Sequence, residues 1–241
     1  MHKSIAVAWS ATIAALYCLA APLHAQAGNG PAGYIALAFT PTGGLAPAVR
    51  PWMAGLSQRS PGFDLRWGHL SLFDDDDNIF VGGVTLPFSD GRGDVAISAG
   101  YLTVQCDGCH GEFVAGATAE QGLLRRDLGG PRTQFGMGLS GSLGFGKPNS
   151  GTVWSVLVGA PVYISTGNPG KAQIVPFVTP SIGWGLLADR YSAEGGVRFV
   201  LGSGIGIVNI APGLGVHLGI QKTFIQGGKT VFGAGLTYGG M

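Results

Sequence analysis

The stretch GLGVHLGIQ at residues 213–221 decides the fold class, because a large aliphatic residue occupies every second position. The aliphatic set is Leu214, Val216, Leu218 and Ile220, with glycine, histidine or glutamine between them. A period of two places the two sets on opposite faces of a β-strand. The stretch therefore predicts a strand with one oily face and one small or polar face.

The same alternation recurs along the chain. In the last such segment, Phe232, Ala234, Leu236 and Tyr238 alternate with small residues. Predicted strands, separated by turn signals such as Asp90-Gly91, cover residues 33–40, 63–73, 78–88, 94–105, 112–123, 133–145, 152–165, 173–187, 193–201, 212–224 and 230–239. Consecutive strands joined by short turns pair antiparallel, and closing the meander removes the unpaired edges that hydrocarbon does not tolerate.

The predicted fold is all-β: a closed antiparallel up-and-down transmembrane β-barrel of about ten strands, within a range of eight to twelve. Ten strands follow if the first block is a plug or a lead-in, and twelve follow if residues 50–57 also pair. Residues 193–210 allow a bulge, a turn or a strand with a glycine face.

Composition supports this class. Charged residues make up 11% of the chain, against about 25% in soluble domains, so a soluble barrel of the lipocalin type lacks the charge for its exterior. The 44 glycines follow no collagen or linker pattern. A net charge of +1 without a cluster of Lys and Arg argues against a nucleic-acid partner.

The first 27 residues fit a secretory signal peptide. Lys3 precedes an apolar stretch, and Ala25-Gln26-Ala27 fits the small-residue cleavage rule. Residues 28–241 are then the barrel domain. Cys18 leaves with the leader, so Cys106 and Cys109 reach an oxidising compartment.

With its leader, its glycine-rich hairpins and its alternating last strand, the chain resembles bacterial outer-membrane β-barrel proteins. The resemblance implies location in the cell outer membrane, contact with outer-membrane lipid, and recognition by the barrel-assembly machinery. Members of that group commonly end on an aromatic residue, which Tyr238 matches, although residues 239–241 follow it.

Two short motifs suggest sharper chemistry. Cys106-Asp107-Gly108-Cys109-His110 has the C-x-x-C-H form used for covalent haem attachment. Its place in a predicted hairpin favours a Cys106–Cys109 disulfide over haem, free thiols or another metal. Asp74, Asp75, Asp76 and Asp77 carry the oxygen ligands that calcium prefers, but such a run is more typical of a solvated hairpin tip. We predict no cofactor.

Alternation also selects inward-facing residues. His217, Gln221 and Arg66 are the lumen candidates, and Arg66 and Arg198 are expected to pair with acids such as Asp64 or Glu194. Interfacial girdle candidates are Trp67, Trp154, Trp184, Tyr163 and Tyr238.

The resulting functional hypothesis is a non-enzymatic outer-membrane barrel with a structural or narrow-pore role and no identified small-molecule substrate. The alternative is an outer-membrane enzyme or a c-type haem electron carrier that uses Cys106, Cys109 and His110.

Overall fold

The computed structural model describes residues 50–54, 60–72, 75–103, 111–128, 133–146, 151–168, 171–189, 193–224 and 230–239. A single turn of 3-10 helix, Pro51–Ala54, precedes the strands. The strands are β1 Gly62–Leu72, β2 Asp75–Pro87, β3 Gly93–Thr103, β4 Glu112–Asp127, β5 Thr133–Gly146, β6 Gly151–Gly159, β7 Val162–Thr166, β8 Gln173–Asp189, β9 Ala193–Ala211, β10 Leu214–Phe224 and β11 Thr230–Gly239. Among the described residues, no helix has the length and apolarity to cross a membrane.

The strands close into an antiparallel barrel of ten positions, as the sequence predicted. β1 pairs with both β2 and β11, and β4 pairs with β5, so the sheet has no free edge in its described part. β6 and β7 share one position between β5 and β8. The register of β5 continues across their junction, from Ser140 opposite Gly159 to Met137 opposite Val162. Pro161 interrupts the ladder there because it has no N–H to donate.

The wall has an apolar outside and a polar or small inside. Four consecutive residues of β1 show the rule: Phe63 is 58% exposed, Asp64 2%, Leu65 63% and Arg66 6%. Large apolar side chains are exposed and charged ones are buried, which is the reverse of a water-soluble protein. This arrangement suits lipid outside and an enclosed lumen inside.

The other predicted faces follow the same rule. Outward and exposed residues include Ile97, Trp154, Ile174, Ile182, Leu218 and Phe232, whereas inward and buried residues include Ser98, Ser155, Gln173, Ser181 and Gln221. Trp67, Trp154 and Tyr238 are exposed on the outer face, and Trp184 is half-buried there. Tyr163 was wrongly assigned to the girdle: it is buried in the lumen, because it has the opposite parity to its outward neighbour Ile164.

The predicted segments match the strands closely, with three corrections. β9 does not end near residue 201 but continues to Ala211, with Gly202 and Gly206 on its buried face. Pro212 begins no strand, because Pro212 and Gly213 form the turn to β10 and Gly213 has a φ of 78°. Residues 51–54 form a helical turn rather than part of a twelfth strand, and residues 55–57 of that possible strand lie outside the described residues. The predicted strand at residues 33–40 lies outside the described residues.

Strand order sets the two ends of the barrel. Gly62, the first residue of β1, lies opposite Gly239, the last residue of β11. Both residues therefore lie at the same end of the barrel, which we call the terminal end. The connections that follow β1, β3, β5, β8 and β10 lie at the opposite end, which we call the loop end. Leu72 and Asp75, which flank residues 73–74, therefore lie at the loop end, as do Thr103 and Glu112. Asp75, Asp76 and Asp77 belong to β2.

Candidate functional site in the barrel interior

The 3-10 turn lies inside the barrel and crosses its lumen. Arg50, Met53 and Ala54 are 2%, 1% and 2% exposed. Arg50 contacts residues of β2, β3 and β4, whereas the turn that follows it contacts β7 and β8 on another part of the wall. We call residues 50–54 the plug segment.

The first side of the plug segment is ionic. Arg50 Nη1 donates a hydrogen bond to Thr85 Oγ1 at 3.2 Å. Its Nε lies 3.8 Å from Asp94 Oδ1 and 4.0 Å from Glu120 Oε2. All three partners are buried, because alternation turns them inward on adjacent strands.

The carboxylates keep Arg50 charged. Arg50 precedes β1 and so lies outside the membrane-spanning strands. Burial alone lowers the pKa of its guanidinium, but the nearby carboxylates of Asp94, Glu120 and Asp64 outweigh burial and raise that pKa above its ordinary value. The plug segment is therefore held in the lumen by an ionised side chain.

A second ion pair lies beside the first. Arg66 Nε is 2.7 Å from Asp64 Oδ2, and the two residues share the inner face of β1. This is the Arg66 pairing that the sequence suggested. Glycine makes room for the polar cluster, since a Cβ at Gly235 would collide with the His217 ring and with the Arg66 side chain. Among described atoms, His217 Nδ1 has no hydrogen-bond partner.

The second side of the plug segment is apolar. Met53 and Ala54 belong to a buried cluster with Tyr163, Val175, Phe177 and Val208. Glycines of neighbouring strands again provide the space: a Cβ at Gly136 would collide with the Tyr163 ring, and one at Gly204 would collide with Phe177. The bulky side chains in the lumen thus lie over glycines, which have no side chain of their own.

A further apolar layer fills the lumen toward the loop end. Its inward side chains come from β2, β3, β4, β6, β9 and β11, and all are nearly or fully buried: Ile79, Leu102, Val114, Val153, Val200 and Val231. The sequence predicted a small or polar inner face, so these aliphatics are a correction. Wall curvature turns the inner faces of all strands toward one lumen, where inward aliphatic residues are buried.

The predicted lumen residues differ in how deeply they are buried. His217 and Gln221 lie on the inner face and are 3% and 2% exposed. Arg198 is half-buried and donates to the Val197 carbonyl, while the Glu194 side chain lies outside the described residues.

The motif residues Cys106, Cys109 and His110 lie outside the described residues, as do Asp74 and the side chains of Asp75, Asp76 and Asp77. The disulfide, haem and calcium hypotheses therefore remain predictions. Within the described part of the chain, no three His, Cys, Asp or Glu residues are grouped so that they could hold a metal ion.

Sequence reasoning did not single out Arg50, Asp94 or Glu120. Parity contained a signal for the two acids, because Asp94 shares the inner face of β3 with Ser98, and Glu120 that of β4 with Thr118. No comparable signal existed for Arg50, which lies between prolines in a segment without periodicity.

No family model and no curated protein matches the chain. The chain is similar to the N-terminal β-barrel domain of Pseudomonas aeruginosa OprF, at 11% identity and a TM-score of 0.36, over 76% of this chain and 98% of that one. It is also similar to the β domain of the Bordetella autotransporter BrkA, at 12% identity and a TM-score of 0.43, over 75% and 99% of the two chains.

Proposed function

We propose that this chain, which folds as a closed antiparallel β-barrel with an apolar outer face, is a structural, non-enzymatic wall protein of the outer membrane whose lumen is closed to solutes. The observation that carries the proposal is the plug segment. Arg50 and Met53 are each at most 2% exposed although they lie in the lumen, so protein atoms enclose the plug segment at that level of the barrel.

The apolar layer supports the same conclusion at the loop end. Hydrophobic constrictions oppose ion passage because a narrow apolar passage excludes water. Ile79 and Leu102 are register partners on β2 and β3, and both are at most 1% exposed. An ion that crosses the barrel would therefore meet two obstacles in series, the apolar layer and the plug segment.

The non-enzymatic part of the proposal rests on the use of the polar residues. Arg50 is paired with both Asp94 and Glu120, and Arg66 is paired with Asp64. A catalytic group needs access to a reacting atom. These charged groups instead hold the plug segment and the wall together.

We also propose that the barrel-assembly machinery recognises β11. Phe232, Leu236 and Tyr238 are exposed at alternate positions of this strand, where a partner has access before insertion. Site-specific crosslinking from position 236 in cells would identify the contact, and crosslinks to lipid only would refute it.

Solute flux tests the closed lumen. The full chain is purified from the membranes of expressing cells, reconstituted into liposomes and challenged with a small sugar, beside a general porin and protein-free vesicles. We expect swelling no faster than that of protein-free vesicles, with a heat-shifted gel band from the same vesicles as proof of a folded barrel. Sugar flux near that of the porin would refute the closed lumen. Discrete ion conductance in planar bilayers without sugar flux would replace it with the narrow-pore role.

A further inference from the structure

We propose that Thr85, Asp94 and Glu120 form a guanidinium-binding site in the lumen, which this chain fills with its own Arg50 and which a free guanidinium-type cation will occupy when that side chain is absent. The inference goes beyond the proposed function, because it assigns a ligand class to the interior whether or not the lumen conducts.

Strand register brings the two acids of the site together. Asp94 of β3 lies directly opposite Glu120 of β4, and both side chains point inward. Like charges directly opposite each other destabilise a sheet. Burial makes the repulsion stronger, since Asp94 is 1% exposed and Glu120 is 8% exposed. A cation placed between the two carboxylates relieves this repulsion.

The site has acceptor capacity that Arg50 does not use. Among the described atoms, neither oxygen of Asp94 receives a hydrogen bond, and Glu120 Oε2 receives none. Thr85 Oγ1 accepts from Arg50 Nη1 and orients the guanidinium. The site thus combines two buried carboxylates with one neutral acceptor, and a planar cation with several N–H groups matches that set.

These acceptor atoms remain unused because the backbone of Arg50 limits how closely its guanidinium can approach the two carboxylates. Its Nε is 3.8 Å and 4.0 Å from the two carboxylates, whereas a charge-assisted hydrogen bond spans about 2.7–2.9 Å. A free guanidinium ion has no backbone to hold it back, so it can approach both carboxylates more closely. Arg66, a second arginine on the inner face, is engaged with Asp64 at 2.7 Å.

Chemical rescue tests the site. The Arg50→Ala variant of the full chain is folded in detergent micelles, and the loss of the compact gel band is followed against temperature. Guanidinium chloride at low millimolar concentration is compared with tetramethylammonium chloride, a cation of the same charge without N–H groups. We expect guanidinium alone to raise the midpoint. At about ten times its Kd it should raise the folded-to-unfolded ratio about tenfold.

Two controls locate the effect. The Arg50→Ala variant that also carries Asp94→Asn should lose the guanidinium response, and the wild type should show none because its site is filled. Equal stabilisation by both salts, or a response that survives Asp94→Asn, would overturn the proposal. If Arg50→Ala does not fold alone, the folding yield with each salt becomes the readout, and a yield that guanidinium does not raise would also overturn it. Neither readout depends on conductance.

Discussion

Replacing one outward leucine by lysine tests whether the exposed apolar wall faces lipid. Leu218 is 62% exposed and lies near the middle of β10. Leu128 is 52% exposed and lies just beyond the end of β4. The two leucines match in type and nearly in exposure, and they differ in their distance from the ends of the wall.

The depth of each position in the bilayer should determine how much the lysine lowers the free energy of unfolding. A lysine on the lipid face costs about 2–4 kcal/mol at the bilayer midplane and about 0–1 kcal/mol near the interface. We therefore expect Leu218→Lys to lower the free energy of unfolding by about 2–4 kcal/mol, and Leu128→Lys by at most about 1 kcal/mol. If water bathed both positions, each substitution would change stability by about 0.5 kcal/mol or less.

Equilibrium unfolding in urea with phosphatidylcholine vesicles measures both values, with tryptophan fluorescence as the signal. Wild type and both variants are compared at one lipid-to-protein ratio, and the heat-shifted gel band verifies that each folds. A Leu218→Lys cost no greater than that of Leu128→Lys would refute a lipid-facing wall.

Two further predictions concern the interior. Gly136→Ala should cost about 1–3 kcal/mol, because its Cβ would overlap the buried Tyr163 ring. Gly141→Ala on the same strand should be nearly neutral, since a Cβ there meets nothing within 4 Å. Equal unfolding midpoints in urea would contradict the tight packing. Asp64→Asn should cost about 3–5 kcal/mol, because it leaves the buried Arg66 charge without its 2.7 Å partner. Adding Arg66→Gln should recover part of that loss in the same assay, and no recovery would argue against a direct ion pair.

The wall was predictable because its physical constraint is local. A strand between lipid and lumen must alternate, so parity alone assigned Leu218 outward and His217 inward. Parity also suggested the Arg66–Asp64 pair, since residues two apart on one strand share a face. Tyr163 shows what happens when parity is set aside: residue type suggested the girdle, whereas alternation with Ile164 required the lumen.

The plug segment was not predictable in the same way. Sequence reasoning offered a plug or a lead-in only for the first block, residues 33–40, and it offered residues 50–57 only as a twelfth strand, because residues 50–54 have no period from which to choose. Arg50 lies in the lumen because acids from two other strands meet there. Those acids are far from Arg50 in the chain, so no local pattern connects them.

The sequence by itself determined the antiparallel barrel and the facing of most wall residues, because a backbone in hydrocarbon must close its hydrogen bonds and alternate its side chains. Only the tertiary structure decided what fills the interior. Curvature and register bring distant inner faces within reach of one another, and there Asp94 and Glu120 meet Arg50 while Tyr163 and Phe177 cover Met53.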